Sequence, residues 1–340
     1  MKVFGVSNKY TKIVAFFAAI CIAVAAIVIQ SIRSKDQEGS LNAIYFWKTT
    51  FELNNWEKKF LSEHNIQKLY LRMFDVDIED DIRNDRRIVV PIATTKFKEI
   101  PPVGIEVVPT VFITLDALKQ MGSMEELAQL IIKRVQAMCA YNELGVIKEL
   151  QIDCDWTQST EEKYNDLCRH MRSILEQKNI DLSSTIRLHQ VGGEVSSDVQ
   201  SYVLMLYNAV SIANTHTNNS ILSYEDIHPY LMRKKNIKAF ENLLEAKQIG
   251  FNLALPTFAW GVVFKDGKFE RLVRNYSQDS PDSLIGEWMR IEECSYDEIK
   301  KVKDDARRAF KRTKANIVIY HLDSLNLVKY TSDEIKNIYN

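Results

Sequence analysis

The residues best suited to acid–base chemistry are Asp153 and Asp155, which lie in the segment Glu149–Trp156 (ELQIDCDW). In a β-strand, side chains at positions i and i+2 point to the same face, with backbones about 7 Å apart. Like charges at that separation push two carboxyl pKa values apart, so that one group can act as an acid or a poised base. The structural alternative is that both aspartates cap the following loop or helix.

Further polar and aromatic residues stand at the ends of other predicted strands. Aromatic rings stack on sugar rings, and carboxylates bind hydroxyl groups or transfer protons. We therefore predict a carbohydrate site in which Asp75 and Tyr207 assist the aspartate pair. The predicted ligand-binding residues, with the three tryptophans as sugar platforms, are Trp47, Arg72, Asp77, Trp156, His189, Gln190, Asn208, Trp260 and Asp323.

Eight short β-rich segments alternate with helical patterns over about 300 residues, which predicts a single (β/α)8 TIM-type barrel in the α/β class. In such a barrel, function lies at the carboxyl ends of the strands. A doubly wound sheet with a separate domain is the alternative, but no linker divides the chain. The predicted strands are Ala43–Lys48, Lys68–Phe74, Glu106–Thr114, Glu149–Trp156, Thr185–Gln190, Tyr202–Tyr207, Gly250–Phe258 and Asn316–His321.

Two connections depart from a regular barrel. Ile78–Gly104, between the second and third strands, has no helical pattern and contains an additional strand at Arg87–Ala93. Val191–Ser201 is too short for a full helix. The predicted helices are Leu53–Glu63, Ser123–Tyr141, Thr160–Lys178, Asn236–Lys247, Tyr296–Arg312 and Ser332–Tyr339.

Two of these strands resemble those of family-18 glycoside hydrolases, the chitinase-like barrels. That family's strand four reads Asp-x-x-Asp-x-Asp-x-Glu, and its strand six reads Met-x-Tyr followed by Asp or Asn. Leu150–Trp156 (LQIDCDW) resembles strand four, with Asp153 and Asp155 at the second and third Asp. Tyr202–Asn208 (YVLMLYN) resembles strand six, and the matching residues are Met205, Tyr207 and Asn208.

The chain departs from the family motif at two positions. Leu150 stands in place of the first Asp, and Thr157 stands in place of the Glu that is the family's general acid. Loss of such an acid is expected to cost about 10²–10⁴-fold in rate. The resemblance therefore implies either a glycosidase in which Asp155 or Asp75 supplies the proton, or a non-catalytic glycan-binding or cell-surface scaffold protein. The chain also resembles exported barrel proteins of Bacteroides-type bacteria, which imply no particular reaction.

The amino-terminal segment Ile13–Ile29 has seventeen residues without a charge, and Lys2, Lys9 and Lys12 precede it. At 1.5 Å per residue it spans about 25 Å, enough to cross a bilayer core. An uncleaved signal-anchor and a cleaved signal peptide both fit. Either exports the remaining chain to the periplasm or the cell exterior, since the basic leader keeps the amino terminus in the cytoplasm. The predicted boundaries are leader 1–12, anchor or signal 13–32, linker 33–42 and barrel 43–340.

Composition excludes several classes of protein. Lys plus Arg total 44 and Asp plus Glu total 45, which argues against a broad nucleic-acid-binding face. The mean hydropathy of -0.20 argues against a polytopic membrane protein. We expect a cell-envelope glycan and, through the amino-terminal helix, a membrane as partners.

No cofactor or metal is expected, because the sequence has neither a phosphate-binding Gly loop nor ligand-spaced Cys and His. Widely spaced Cys139, Cys154, Cys168 and Cys294 predict buried thiols. Lys300–Lys314 predicts a solvated basic helix, with contact to an anionic lipid or polymer as the alternative.

Overall fold

The computed structural model describes residues 41–81, 83–273, 286–311 and 315–340 of the chain. The predicted leader, the anchor or signal segment and most of the linker lie outside the described residues. Within the described part, no helix combines the length and the apolar character needed to cross a membrane. The amino-terminal anchor therefore stays a prediction.

The part of the chain that the structure describes contains fourteen strands and nine helices. In chain order the strands are β1 (Asn42–Phe46), β2 (Thr50–Phe51), β3 (Ile66–Asp81), β4 (Arg86–Ile92), β5 (Lys96–Phe97), β6 (Glu106–Ile113), β7 (Glu149–Cys154), β8 (Asp181–Arg187), β9 (Ser201–Met205), β10 (Gly250–Pro256), β11 (Trp260–Lys265), β12 (Lys268–Val273), β13 (Glu287–Glu292) and β14 (Asn316–Tyr320). The helices are α1 (Asn55–Glu63), α2 (Leu115–Gln120), α3 (Met124–Tyr141), α4 (Glu161–Glu176), α5 (Tyr224–Leu231), α6 (Lys234–Ala246), α7 (Tyr296–Ala309), α8 (Ser324–Leu327) and α9 (Ser332–Tyr339).

A closed parallel barrel forms the centre of the fold. Eight strands pair in chain order, and β1 closes the barrel by pairing with both β3 and β14. The barrel strands are β1, β3, β6, β7, β8, β9, β10 and β14. This closure confirms the predicted (β/α)8 barrel over the doubly wound alternative, and all eight predicted barrel strands are present.

Local sequence explains the elements around the site. All six residues of β7 are buried, as expected for a parallel strand covered on both faces. The helix α3 begins after Ser123, whose hydroxyl accepts a hydrogen bond from the Glu126 amide at 3.2 Å. Its buried residues, among them Leu127, Ile131 and Val135, recur at helical spacing.

The irregular connections follow the sequence prediction. The long strand β3 continues beyond the barrel and pairs antiparallel with β4, which confirms the additional strand predicted at Arg87–Ala93. No helix separates β8 from β9. The predicted limits of strand five were wrong, because β8 covers Asp181–Arg187 and the chain then turns, with the Gln190 amide donating to the Arg187 carbonyl at 3.0 Å.

A small antiparallel sheet of β11, β12 and β13 was not predicted. It follows the barrel strand β10 and precedes α7. Its first hairpin turns at Asp266 and Gly267, which both have positive φ, of 50° and 73°. An Asp-Gly pair with that conformation is typical of a two-residue type I′ turn.

The carboxyl-terminal helix α9 packs against the barrel through both polar and apolar contacts. The Tyr339 hydroxyl donates to the Ala43 carbonyl of β1 at 3.1 Å. Lys303 of α7 donates to the Asn337 carbonyl at 2.6 Å. Lys303 is buried, and burial lowers its pKa to about 8. The prediction of a solvated basic helix was therefore wrong at this residue. The four predicted thiols are buried and free.

We predict that Ile338→Ala destabilises the protein by about 2–5 kcal/mol, because it removes a fully buried side chain from this contact. The measurement is the free energy of unfolding in urea. Asn337→Ala is the matched control, since that side chain is exposed and its backbone carbonyl remains. Equal effects of both substitutions would contradict the packing role of α9.

Candidate functional site

A guanidinium group lies between the two aspartates at the carboxyl end of the barrel, which we call the rim. Arg187, the last residue of β8, donates from Nε to Asp155 Oδ1 at 2.5 Å. Its Nη2 lies 3.9 Å from Asp153 Oδ1. Thr185, two residues earlier on the same strand, donates its hydroxyl to Asp153 Oδ1 at 2.6 Å. Neighbouring strands therefore place one cation against both predicted catalytic carboxyls.

The two carboxyls have different surroundings. Asp153 is 4% exposed, and burial raises its pKa to about 6, against the opposing effect of Arg187. The side chain of Asp155 is 49% exposed. Burial lowers the pKa of the Arg187 guanidinium, but Asp153 and Asp155 raise it above its ordinary value, so the group stays charged.

Polar contacts continue into the barrel below the aspartates. The Tyr45 hydroxyl of β1 donates to Gln151 Oε1 of β7 at 2.7 Å. Because β1 and β7 are not adjacent strands, this bond crosses the barrel interior. Gln151 and Asp153 lie two residues apart on β7 and share that interior face. The interior is therefore polar directly beneath the candidate site.

Tyr207, predicted to assist catalysis, lies beside this group. The Arg187 guanidinium carbon is 5.7 Å from the centre of its ring. Its hydroxyl donates to Met205 Sδ at 2.8 Å. Burial raises the pKa of Tyr207 well above its ordinary value, so the phenol keeps its proton and its oxygen can still accept a hydrogen bond.

Aromatic side chains form a continuous row next to the charged group. We call Trp47, Tyr207, Phe258, Trp260 and Tyr320 the rim aromatic row. Ring centres are 5.8 Å apart for Trp47 and Tyr320, 5.3 Å for Tyr320 and Tyr207, 5.5 Å for Tyr320 and Phe258, and 4.8 Å for Phe258 and Trp260. Trp47, Trp260 and Tyr320 are partly exposed, so the row presents aromatic surface at the rim.

Arg72 and Asp75 form a separate ion pair on β3. Arg72 donates from Nε to Asp75 Oδ1 at 2.8 Å, and its guanidinium lies 5.7 Å from the Trp47 ring. Asp75 is thus paired with a cation and is not a free carboxyl at the centre of the site.

Two other predicted residues, His189 and Asn208, are exposed in the loops after β8 and β9.

Trp156 and Gln190 are corrections to the predicted binding residues. Trp156 is 2% exposed and stacks on Tyr164 of α4 at 5.7 Å, because strand alternation turns it away from the barrel interior. It is therefore not a sugar platform. Gln190 is also 2% exposed. Its side-chain Nε2 donates to the Trp156 carbonyl at 2.9 Å, and its Oε1 accepts from the backbone N–H of Arg187 at 2.7 Å. It braces the ends of β7 and β8.

Asp323 caps a helix, and Asp77 binds a residue that caps another. Asp77 accepts from the hydroxyl of Thr114, the residue that caps α2, at 2.8 Å. Asp323 caps α8 and accepts from the Leu325 amide at 3.3 Å. Both carboxylates are thus engaged in holding loop geometry.

Thr157, at the position of the family's catalytic Glu, takes part in the turn before α4. Its amide donates to the Thr160 hydroxyl at 3.0 Å, and its own hydroxyl lies 3.0 Å from that of Ser159. Neither contact directs a proton donor toward the aspartates. The structure therefore offers no acid at this position.

Arg187 and Thr185 were not among the predicted site residues. A usable signal was present, because Ser183, Thr185 and Arg187 alternate along the strand and must share one face. Tyr320 was likewise missed, although it ends an apolar strand. Among the residues that the structure describes, no cluster of three His, Cys, Asp or Glu side chains could hold a metal ion.

Several solved structures with similar folds carry the name chitinase. The C-terminal domain of a putative chitinase from Desulfitobacterium hafniense DCB-2 aligns with 9% identity, 89% of this chain, 100% of that chain and a TM-score of 0.53. A chitinase from Bacteroides thetaiotaomicron aligns with 14% identity, 89% and 97% coverage and a TM-score of 0.51. The chain has a chitinase-like barrel fold.

A chitinase from Chromobacterium violaceum ATCC 12472 aligns over 88% of this chain and 99% of its own, with 10% identity and a TM-score of 0.50. No protein-family model and no curated protein sequence matches the chain. The resemblance seen in two strands is thus confirmed as a likeness of fold. At these identities it carries no residue role from those chitinases to this chain.

We predict that the Asp153 carboxyl titrates near pH 6 in the folded protein. Because its pKa is raised on folding, its contribution to stability is full below about pH 4 and is lost as the pH rises to about 6. Arg187→Gln should raise this pKa, and Asp155→Asn should lower it, because Arg187 lowers and Asp155 raises the value. Carboxyl NMR titration measures both shifts, and a midpoint near 4 would contradict the prediction.

Proposed function

We propose that the rim binds a carbohydrate chain without hydrolysing it through the aspartate pair. The observation that carries this proposal is the Arg187 guanidinium, which contacts both Asp153 and Asp155. A charge-paired carboxylate is stabilised in its ionised form. The guanidinium opposes the effect of burial on the pKa of Asp153 and binds Asp155 directly, so neither carboxyl is free to approach a leaving sugar oxygen.

Access also argues against proton transfer by these aspartates. Asp153 has the raised pKa that a general acid needs, but it is 4% exposed and accepts the Thr185 hydroxyl. Asp155 is more accessible, but it is bonded to Arg187. A general acid must reach the leaving oxygen at hydrogen-bond distance. Asp153 lacks that access because it is buried, and the accessible Asp155 is held by Arg187.

The rim aromatic row supports carbohydrate binding. Partly exposed rings beside charged and hydroxyl groups provide apolar faces for sugar rings and hydrogen-bond partners for their hydroxyls. The fold neighbours carry the name chitinase, so chitin oligosaccharides are suitable first probes. Cell-envelope peptidoglycan is the second, since the chain is proposed below to be exported.

The alternative is a glycosidase in which Asp153 is the acid. Its pKa of about 6 favours this alternative, because a substantial fraction is then protonated in weakly acidic solution. Ligand binding would have to move Arg187 and open the carboxyl to the leaving oxygen. Hydrolysis below pH 7 that both Asp153→Asn and Asp155→Asn abolish would establish the enzyme and sink the binding-only proposal.

We predict that the full-length chain binds chitohexaose or peptidoglycan and releases no sugar products. Trp47→Ala should weaken binding by about 5–30-fold, the equivalent of 1–2 kcal/mol, because it removes a partly exposed ring from the row. Calorimetry measures affinity, and chromatography of the supernatant measures products. Trp56→Ala is the matched control, because that ring stacks within α1 on Phe60.

The expected pattern includes a small effect of Asp155→Asn on affinity, because that residue already bonds Arg187 in the absence of ligand. Loss of binding in Trp56→Ala equal to that in Trp47→Ala would contradict the aromatic row as the site. Failure of the unmodified chain to bind any member of a polysaccharide panel would contradict carbohydrate binding itself.

We also propose that Ile13–Ile29 anchors the chain in a membrane and places the barrel outside the cytoplasm. The support is the uncharged length of this segment together with the lysines that precede it. Cleavage after export is the alternative, because Ala23-Val24-Ala25 offers a small-residue pattern inside the run.

We predict that Ile20→Lys with Val24→Lys releases the chain from the membrane fraction, because each central lysine costs about 2.5–3.5 kcal/mol of insertion free energy. Carbonate extraction of membranes measures retention, and protease added to spheroplasts measures the side on which the barrel lies. Ser34→Lys, beyond the apolar run, is the control. A shortened soluble chain from the unmodified sequence would show cleavage instead.

A further inference from the structure

The small sheet contains a fully buried carboxylate, Glu292, whose two oxygens are both occupied. Trp260 lies directly opposite it on β11, and the indole Nε1 donates to Glu292 Oε2 at 2.7 Å. The Ser220 hydroxyl donates to the same oxygen at 2.6 Å. Arg290 donates from Nε to Oε1 at 2.7 Å and supplies the opposite charge. A buried charge requires such partners.

Arg290 extends these contacts to the loop that follows β9. Its Nη1 donates to the Asn214 carbonyl at 2.7 Å, and its Nη2 donates to the Ile212 carbonyl at 3.1 Å. Asn219 of the same loop donates to the Glu293 carbonyl at 2.6 Å. The end of β13 therefore holds the loop over residues 212–220 from both of its ends.

Trp260 links this network to the rim. Its ring lies 4.8 Å from Phe258 and is the last member of the rim aromatic row. An indole has a single donor, so its bond to Glu292 fixes the rotation of the ring. One buried carboxylate thus orients the partly exposed ring of Trp260 and ties it to the adjacent loop.

We propose that Glu292 is a positioning residue, which fixes Trp260 and the loop 212–220 in the arrangement that receives a ligand at the rim. The positioning stands on the contacts alone, whereas its effect on ligand binding rests on the proposed carbohydrate function. The ligand class that fits is an extended oligosaccharide, because the row runs from Trp47 across the rim to Trp260.

The first test follows the indole in the full-length chain labelled with 5-fluorotryptophan. Trp260→Phe identifies the Trp260 resonance by its loss. We expect Glu292→Gln to shift or broaden that resonance and to speed amide exchange in residues 212–220. Glu287→Gln is the matched control, because it makes the same charge change on β13 at a residue paired with Arg271.

Unchanged Trp260 fluorine signals and loop exchange in Glu292→Gln, relative to Glu287→Gln, would overturn the proposal. Ser220→Ala provides a second variant should Glu292→Gln not fold, since it removes one donor and keeps the carboxylate. It should change the loop exchange in the same direction by a smaller factor, and no change would again overturn the positioning role.

The second test measures affinity for chitohexaose and peptidoglycan. We expect Glu292→Gln and Trp260→Phe each to weaken binding about tenfold, or 1.4 kcal/mol. The double variant should bind no more weakly than either single variant, because both substitutions act on the same contact between the indole and residue 292. Additive losses would overturn action through the indole.

The two proposals fail separately. An unmodified chain that binds neither probe contradicts the carbohydrate function, while the fluorine and exchange results still decide the positioning role.

Discussion

One buried ion pair determines the character of the rim. Asp153 lies within the barrel mouth, where an unpaired carboxylate would be costly, and Arg187 supplies the compensating charge from the neighbouring strand. Removal of one partner from a buried pair commonly costs about 3–5 kcal/mol. The same guanidinium also bonds Asp155, so a substitution of Arg187 changes the charge environment of both carboxyls.

The chain has the fold of a chitinase-like barrel but lacks an acidic residue at the position of the motif's Glu. The strand that carries Asp153 and leads into Asp155 is the fourth of the barrel, as the resemblance implied, and Tyr207 lies beside Arg187. Thr157, however, is part of a turn and brings no acid. What remains at the rim is one guanidinium held against two carboxyls and bordered by aromatic rings, an arrangement that supports the proposed carbohydrate binding.

The small sheet adds a second constraint to the same rim. Glu292 buries its charge between Arg290 and the indole of Trp260, so the sheet, the loop after β9 and the rim aromatic row are mechanically connected. The barrel supplies rigid strand ends, and the sheet supplies the orientation of the last ring. Trp260, the last ring of the rim aromatic row, therefore lies on a sheet that is held to the loop after β9 by hydrogen bonds to the buried Glu292.

The barrel could be predicted from the order of the residues, because eight apolar strands alternating with helices leave few other arrangements. The same pattern placed Asp153, Asp155, Tyr207 and Trp47 at strand ends. The sequence also contains the Asp266-Gly267 turn and the alternation of polar residues that ends at Arg187. Which side chains come into contact could not be predicted in the same way. Trp156 faces α4, and Glu292 reaches Trp260 from thirty-two positions away. Contacts across strands depend on the strand register and on the face to which each side chain points. Both are set when the strands pair in the folded chain.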